Sequence, residues 1–308
     1  MKKTILLSFF SFLIISLFSV NLINPLGPTV IPVTGLMENK VYEEVEINVS
    51  LWKDNSEAVA LLASNKADFA VLPVTVGANL YTQGMKIVLL GVHEWEAFYL
   101  INDGTSEFNN IKSLKGKEVY SPHGRGQTVD VLLRYLLVQN GLIPDKDVKF
   151  SYLPPQEIVS LFKAGKIQYA ALPEPFSTLA ITGTNGKIVL NFQQEWNKVS
   201  GSKYGLPIAG LFVKKEFIDE NPDVSMSVEE AFAQSVKWAN ENLDDSLKIT
   251  NQYLTIPIPV LKESMKRLKF EYIAIEECKE EVEIFLSTMH EFYPEGVPIL
   301  PDGDFYAK

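Results

Sequence analysis

Two stretches of the chain carry the same order of apolar and polar positions 100 residues apart: residues 55–73, NSEAVALLASNKADFAVLP, and residues 155–173, PQEIVSLFKAGKIQYAALP. In register they share Glu57 and Glu157, Val59 and Val159, Leu61 and Leu161, Lys66 and Lys166, Ala70 and Ala170, Leu72 and Leu172, and Pro73 and Pro173. Apolar residues at 58, 59, 61 and 62, and again at 158, 159, 161 and 162, fall on one helical face, and Asn65 or Gly165 breaks the helix. A short apolar run then predicts a strand that stops at proline, which cannot continue a ladder. Such strand ends are where open α/β sheets keep their ligand crevices. The doubling predicts two similar α/β lobes facing each other.

The surrounding pattern extends both units. Strands are predicted over 20–23, 45–51, 86–91 and 97–101, with helices over 27–37 and 74–81. Around the second copy, strands over 117–120, 148–152 and 187–191 alternate with helices over 127–138 and 174–181. Alternation of this kind implies parallel sheets covered by helices. The polar break Asn102, Asp103, Gly104 predicts a first crossing between lobes, and residues 192–205 a second. Beyond 213 the spacing is helical, so lobe 1 is expected to hold residues 20–101 and 200–308, and lobe 2 residues 102–199. Residues 1–19 start with Lys2 and Lys3 and continue as an uncharged apolar run, which reads as a signal peptide or an N-terminal anchor. No small-residue cleavage site follows, and no cysteine lies near its end to carry a lipid.

Composition narrows the function. The chain of 308 residues is 46% hydrophobic and 21% charged, ordinary for a globular protein, and its net charge of −10 disfavours nucleic acid or an anionic membrane surface as a partner. Cys278 is the only cysteine, so no intramolecular disulfide forms. With histidines only at 93, 123 and 290 and no His/Cys cluster, neither a metal site nor a cofactor is expected. Nucleophile signatures are absent too, which argues against an enzyme.

Candidate binding residues cluster at predicted strand ends. In the HGRGQT loop, Gly124 and Gly126 let the backbone approach a ligand and Gln127 and Thr128 bring free N–H groups at a helix start. Arg125 adds a bidentate donor, with His123 beside it; the alternative is a loop with a solvated arginine. Glu174 is expected either to aim its carboxylate into the crevice or to cap the following helix. Trp52, Asn55 and Ser56 follow the second strand, Pro73, Val74 and Thr75 the third, and His93 with Trp95 the fourth, all toward one cleft. Aromatic residues there stack on a planar solute or simply pack; Trp196 and Tyr204, flanking the second crossing, are open in the same way.

Several stretches resemble one family. ALLASNKADFAVLP, IKSLKGKEVYSPHGRGQTVDVLLRYLLVQNGL, EIVSLFKAGKIQYAALPEPF and FVKKEFIDENPDVSMSVEEAFAQSVKWANEN are similar to the periplasmic substrate-binding proteins of ABC importers, in the group of nitrate, sulfonate, taurine and thiamine-pyrimidine binders. Asn65 and Gln168 depart from the usual glycine and acid of that pattern. The resemblance implies an α/β, two-lobed periplasmic-binding-protein-like (type II) fold with two crossover segments. It also implies an exported, periplasmic or extracellular monomer that delivers a small-molecule solute to an ABC transporter permease. The solute would be sulfonate-like or a planar nitrogen heterocycle. An enzyme like the thiamine-pyrimidine synthases, or a membrane-anchored sensor domain, are the alternatives on the same scaffold.

Overall fold

Both copies of the repeated pattern fold into the helix and strand they predict. In the computed structural model, which describes residues 19–41, 45–122 and 124–308, the first copy lies in a run of seven elements. These are β1 (Ser19–Pro25), α1 (Val30–Met37), β2 (Glu46–Trp52), α2 (Asn55–Ala63), β3 (Phe69–Pro73), α3 (Val74–Thr82) and β4 (Ile87–Glu96). A second run follows: β5 (Phe98–Asn102), β6 (Glu118–Ser121), α4 (Thr128–Gln139), β7 (Lys149–Tyr152), α5 (Pro155–Lys163), β8 (Tyr169–Pro173), α6 (Phe176–Ile181), β9 (Lys187–Asn191) and α7 (Phe192–Ser200). The chain ends with β10 (Ala209–Lys214), α8 (Lys215–Glu220), α9 (Pro222–Glu241), α10 (Leu243–Thr250), α11 (Ile258–Ser264), β11 (Lys269–Ala274) and α12 (Ile275–Phe292). Apart from Ser19, the leader expected over 1–19 lies outside the described residues, as does His123. Among the described residues no helix is long and apolar enough to cross a membrane.

The repeat reappears as two sheets of one design, ordered β11-β4-β10-β3-β1-β2 and β7-β6-β8-β5-β9. In each, the first strand lies between the second and third and pairs with both in parallel. A strand running the other way then separates the third from the fourth: β10 in the first sheet and β5 in the second. Both inserted strands arrive directly from a crossing, so each lobe completes its sheet with a strand entered from the other lobe.

Three expectations change. The strand predicted over 97–101 belongs to the second sheet, so the chain crosses at Ala97 rather than at 102–104. The polar break there is a local turn instead, with Asn102 donating to the Ser106 carbonyl at 2.6 Å and Asp103 accepting from the Thr105 and Ser106 amides. The sheets are mixed rather than parallel, since β5, β10 and β11 all run antiparallel to their neighbours. The C-terminal region is not wholly helical either. Leu211, Phe212 and Val213 are buried on both faces of the sheet, which erases the alternation that marks a strand. The return crossing occupies residues 201–208, between α7 and β10.

The C-terminal helices fix the cleft from behind. Helix α9 lies across α1 so closely that a Cβ on Gly35 would meet the Ser235 hydroxyl at 2.8 Å, and Ser235 accepts from the Leu36 amide and donates to the Pro32 carbonyl. Helix α12 reaches over to the second lobe: Phe285 packs edge-on against Trp196 at 5.8 Å, and Phe292 against Tyr135 at 4.7 Å.

Candidate functional site

Prolines end the strands where the two sheets meet. Pro25, Pro73 and Pro173 are the last residues of β1, β3 and β8, Pro122 follows β6, and all four line a cavity of about 410 Å³ between the lobes. Both crossings close its back, through Ala97 and Phe98 on one and Ile208 and Ala209 on the other. Trp52, at the end of β2, and Leu26 add apolar wall. A cavity of this size, mostly apolar with a few placed polar groups, is the usual form of a small-molecule site.

Three helices point their N-termini at it. Helix α2 is already closed: Asp54 accepts from the Glu57 amide at 3.0 Å, and Glu57 in return accepts from the Lys53 amide at 2.8 Å. Helix α4 has no side-chain cap, so its first-turn N–H groups stay open beside Gln127, whereas α1, though also without a side-chain cap, is closed by its own turn: the Val30 and Ile31 amides bond the Gly27 and Pro28 carbonyls at 3.0 Å, and Pro32 has no N–H. The β1–α1 turn is held by Asn24, which donates to the Pro25 carbonyl at 2.9 Å and to the Thr29 hydroxyl at 3.3 Å. One acid completes the lining. Glu94, at the end of β4, is 4% exposed, its side chain forms no hydrogen bond or ion pair among the described residues, and burial pushes its carboxyl up to about 8.

Of the residues predicted from the sequence, Trp52, Asn55, Pro73, Gln127 and Thr128 share this wall. The others do not, for separate reasons. Ser56 is exposed on α2, Val74 is buried with its amide on the Ile208 carbonyl, and Thr75 lies one residue further along α3. Arg125 turns outward to Asp145 at 3.0 Å and lies 5.9 Å from the Tyr293 ring centroid. The Asp145 carboxylate, held below the usual range chiefly by its hydrogen bond from Arg134, draws it there, while the charge of Arg134 opposes it. Gly126 gives its amide to Asp130 at 2.8 Å, and the place of its missing Cβ is filled by Tyr293; Gly124 is open but remote from the wall.

The fourth-strand pair also corrects. His93 points into the core, fully buried edge-on against Phe232 at 5.1 Å, and burial pushes it down to about 3. Trp95 donates to the Glu271 carbonyl at 2.8 Å and stacks at 5.6 Å on Tyr204, which thus packs behind the crossing rather than in the cavity. Glu174 is fully buried; it accepts from the Thr178 amide and hydroxyl and from Arg267 Nε at 2.6 Å, so its carboxylate is consumed. The residues missed include 25–29, Glu94 and Phe98, along with Lys53, Asp54, Pro122, Val129, Pro173 and the crossing residues Ala97, Ile208 and Ala209. The repeat itself could have found the first group, because residues 25–29 stand in lobe 1 where the HGRGQT loop stands in lobe 2. Glu94 carried no signal, sitting in a continuous buried strand.

The family model of the NMT1-like family matches residues 31–251. The chain belongs to the NMT1-like family. This member is 26% identical to a nitrate/nitrite binding protein of Synechococcus elongatus over 187 residues, 59% of this chain and 40% of that protein. It is 26% identical over 211 residues to a Bacillus subtilis protein named as an aliphatic sulfonates-binding protein, 67% of this chain and 59% of the other. The chain therefore spans less than two thirds of the length of either relative. An ABC transporter structure from Parabacteroides distasonis superposes with a TM-score of 0.80 at 24% identity, over 94% of this chain and 99% of that one. The periplasmic aliphatic sulphonate binding protein SsuA of Escherichia coli gives 0.74 at 16% identity, over 93% and 90%. At such identities the structural likeness speaks for the fold, the two-lobed α/β architecture expected from the repeat.

Proposed function

We propose that this protein is an extracytoplasmic solute receptor that captures a small organic oxyanion and hands it to an ABC permease. The observation that carries this reading is the cavity between the lobes, onto which the uncapped N-terminus of α4 opens. Open first-turn N–H groups attract an anion, and a solute that touches both lobes stabilises the closed form by its difference in affinity for closed and open states. The apolar wall of Trp52, Leu26 and Phe98 calls for an organic body on that anion. The heterocycle reading loses its polar anchor, because Glu174 is taken up by Arg267 and Thr178. The names of the nitrate/nitrite and sulfonate binding relatives support the same chemistry. Binding rather than turnover is the output, by a monomer exported by residues 1–19.

Native mass spectrometry of protein purified without denaturation, followed by calorimetry with nitrate and short alkanesulfonates, tests the solute class. A co-purified cation, or no heat from any of these anions, sinks it. Small-angle scattering with saturating solute should show a smaller radius of gyration. Stimulation of a reconstituted permease ATPase by the loaded protein, and not by the empty one, tests delivery.

A further inference from the structure

A buried acid is out of place in a cavity built for an anion, unless it is not an anion itself. Glu94 has Ala209 and Phe270 opposite it on the neighbouring strands, neither with a polar side chain. Its carboxyl is nine-tenths buried and more, borders the cavity, and has no partner among the described residues. The open first turn of α4 borders the same space. The geometry points to Glu94 as the specificity-determining donor of the cavity, a protonated carboxylic acid that gives its O–H to an oxygen of the anionic head group held by that helix start. This rests on the oxyanion reading above.

The surrounding charges leave that role open. On its own strand, the Glu96 carboxylate is occupied by the Tyr99 hydroxyl and Asn191. Strand β10 brings only Lys214, opposite Ile87 at the far end. On β11, Lys269 and Glu271 pair with each other, and Tyr272 donates to Glu229. Helix α3 and the turn at residues 303–305 bring Tyr81 and Asp304, and α12 begins with Glu276 and Glu277. Across the cavity stand Lys53, exposed, and Asp54, engaged in capping α2. Burial is the cause that raises Glu94, to about 8, so the acid carries its proton at neutral pH. An ionised Glu94 would instead call for a cationic solute, which the positive end of α4 repels.

The experiment is calorimetry of the full chain with ethanesulfonate, which stays ionised from pH 6 to 9.5, on the wild type and Glu94→Gln. Wild-type affinity should be level below pH 7.5 and fall about tenfold per pH unit above 8, since each unit removes the competent form by that factor. Glu94→Gln, whose amide still donates, should bind within a few-fold of wild type at pH 6 and stay level to pH 9.5. A level wild-type profile, a variant that keeps the wild-type slope, or a folded variant that loses binding at pH 6 each overturns the donor role. Binding of ethylammonium that strengthens with pH and vanishes in Glu94→Gln overturns it in favour of a cation. If neither protein binds ethanesulfonate at pH 6, the oxyanion class itself fails and takes the donor with it.

Discussion

Replacing Arg267 with alanine should weaken the protein far more than removing an ordinary surface arginine. Its guanidinium, 23% exposed, donates from Nε to the fully buried Glu174 at 2.6 Å and from Nη2 to the Thr178 hydroxyl at 2.6 Å. Burial alone would lower the arginine's pKa, yet the hydrogen bond and the charge of Glu174 leave it raised, a sign that the pair is favourable in place. Breaking a buried pair from one side costs about 3–5 kcal/mol, because the remaining charge has no water to replace its partner. Partial exposure of Arg267 and the Thr178 bonds that Glu174 retains bring the figure to about 3 kcal/mol for Arg267→Ala. Urea denaturation measures it as a lower midpoint at unchanged slope. Glu174→Gln together with Arg267→Ala should cost less than the two singles added, with a coupling of about 1–3 kcal/mol. The pair also ties the end of β8 to the segment between α11 and β11, so amide exchange in α6 should quicken in the single variant. A loss under about 1 kcal/mol, or strict additivity in the cycle, refutes the reasoning.

Four further outcomes are expected. Arg125→Ala should leave solute affinity unchanged and cost less than about 1 kcal/mol of stability, as its partner Asp145 is half-exposed; a drop in affinity would return Arg125 to the site. Trp52→Phe should fold normally and weaken solute binding several-fold, read by calorimetry, and equal affinity would remove the indole from the recognition surface. His93 titrates near 3 when folded but near 6.5 when unfolded, so its contribution is whole above pH 6.5 and drains by about 1.4 kcal/mol per pH unit as pH falls toward 3. His93→Phe should flatten that limb of the stability profile. Glu94 has the opposite sign: raised from 4.5 to about 8, its contribution is whole below pH 4.5 and lost as pH climbs to 8. Glu94→Gln should therefore gain about 3 kcal/mol over wild type at pH 7 and nothing at pH 4.

The repeat made the fold legible because each copy declares both its helical face and its strand stop, and Pro73 and Pro173 do end β3 and β8 at the cavity. The inserted strands were harder. β5 looks like any strand of the first lobe until its partners β8 and β9 are known, and β10 is buried on both sides, so neither carries a period that names its sheet. Side-chain direction explains the site errors. A residue at a strand end faces the cavity or the core according to the pleat, which put Glu94 on one side and His93 on the other. Loop residues fall outside the cavity wall for a different reason: Arg125 and Gly126 are claimed by Asp145 and Asp130, acids 20 and 4 residues away that no local pattern connects to them.

The prolines at the strand ends around the cavity have a consequence for its water. Proline has no N–H, so the strand ends that border the space supply no donors to anchor solvent there, while the first turn of α4 supplies several. Water is thus held firmly at one pole and loosely against the proline and Trp52 wall. Releasing loosely held water by an apolar body gains affinity, whereas stripping the helix start without replacing its bonds forfeits it. Lengthening the alkyl chain of a bound sulfonate should accordingly make the heat capacity of binding more negative, while changing its head group should act mainly on the enthalpy.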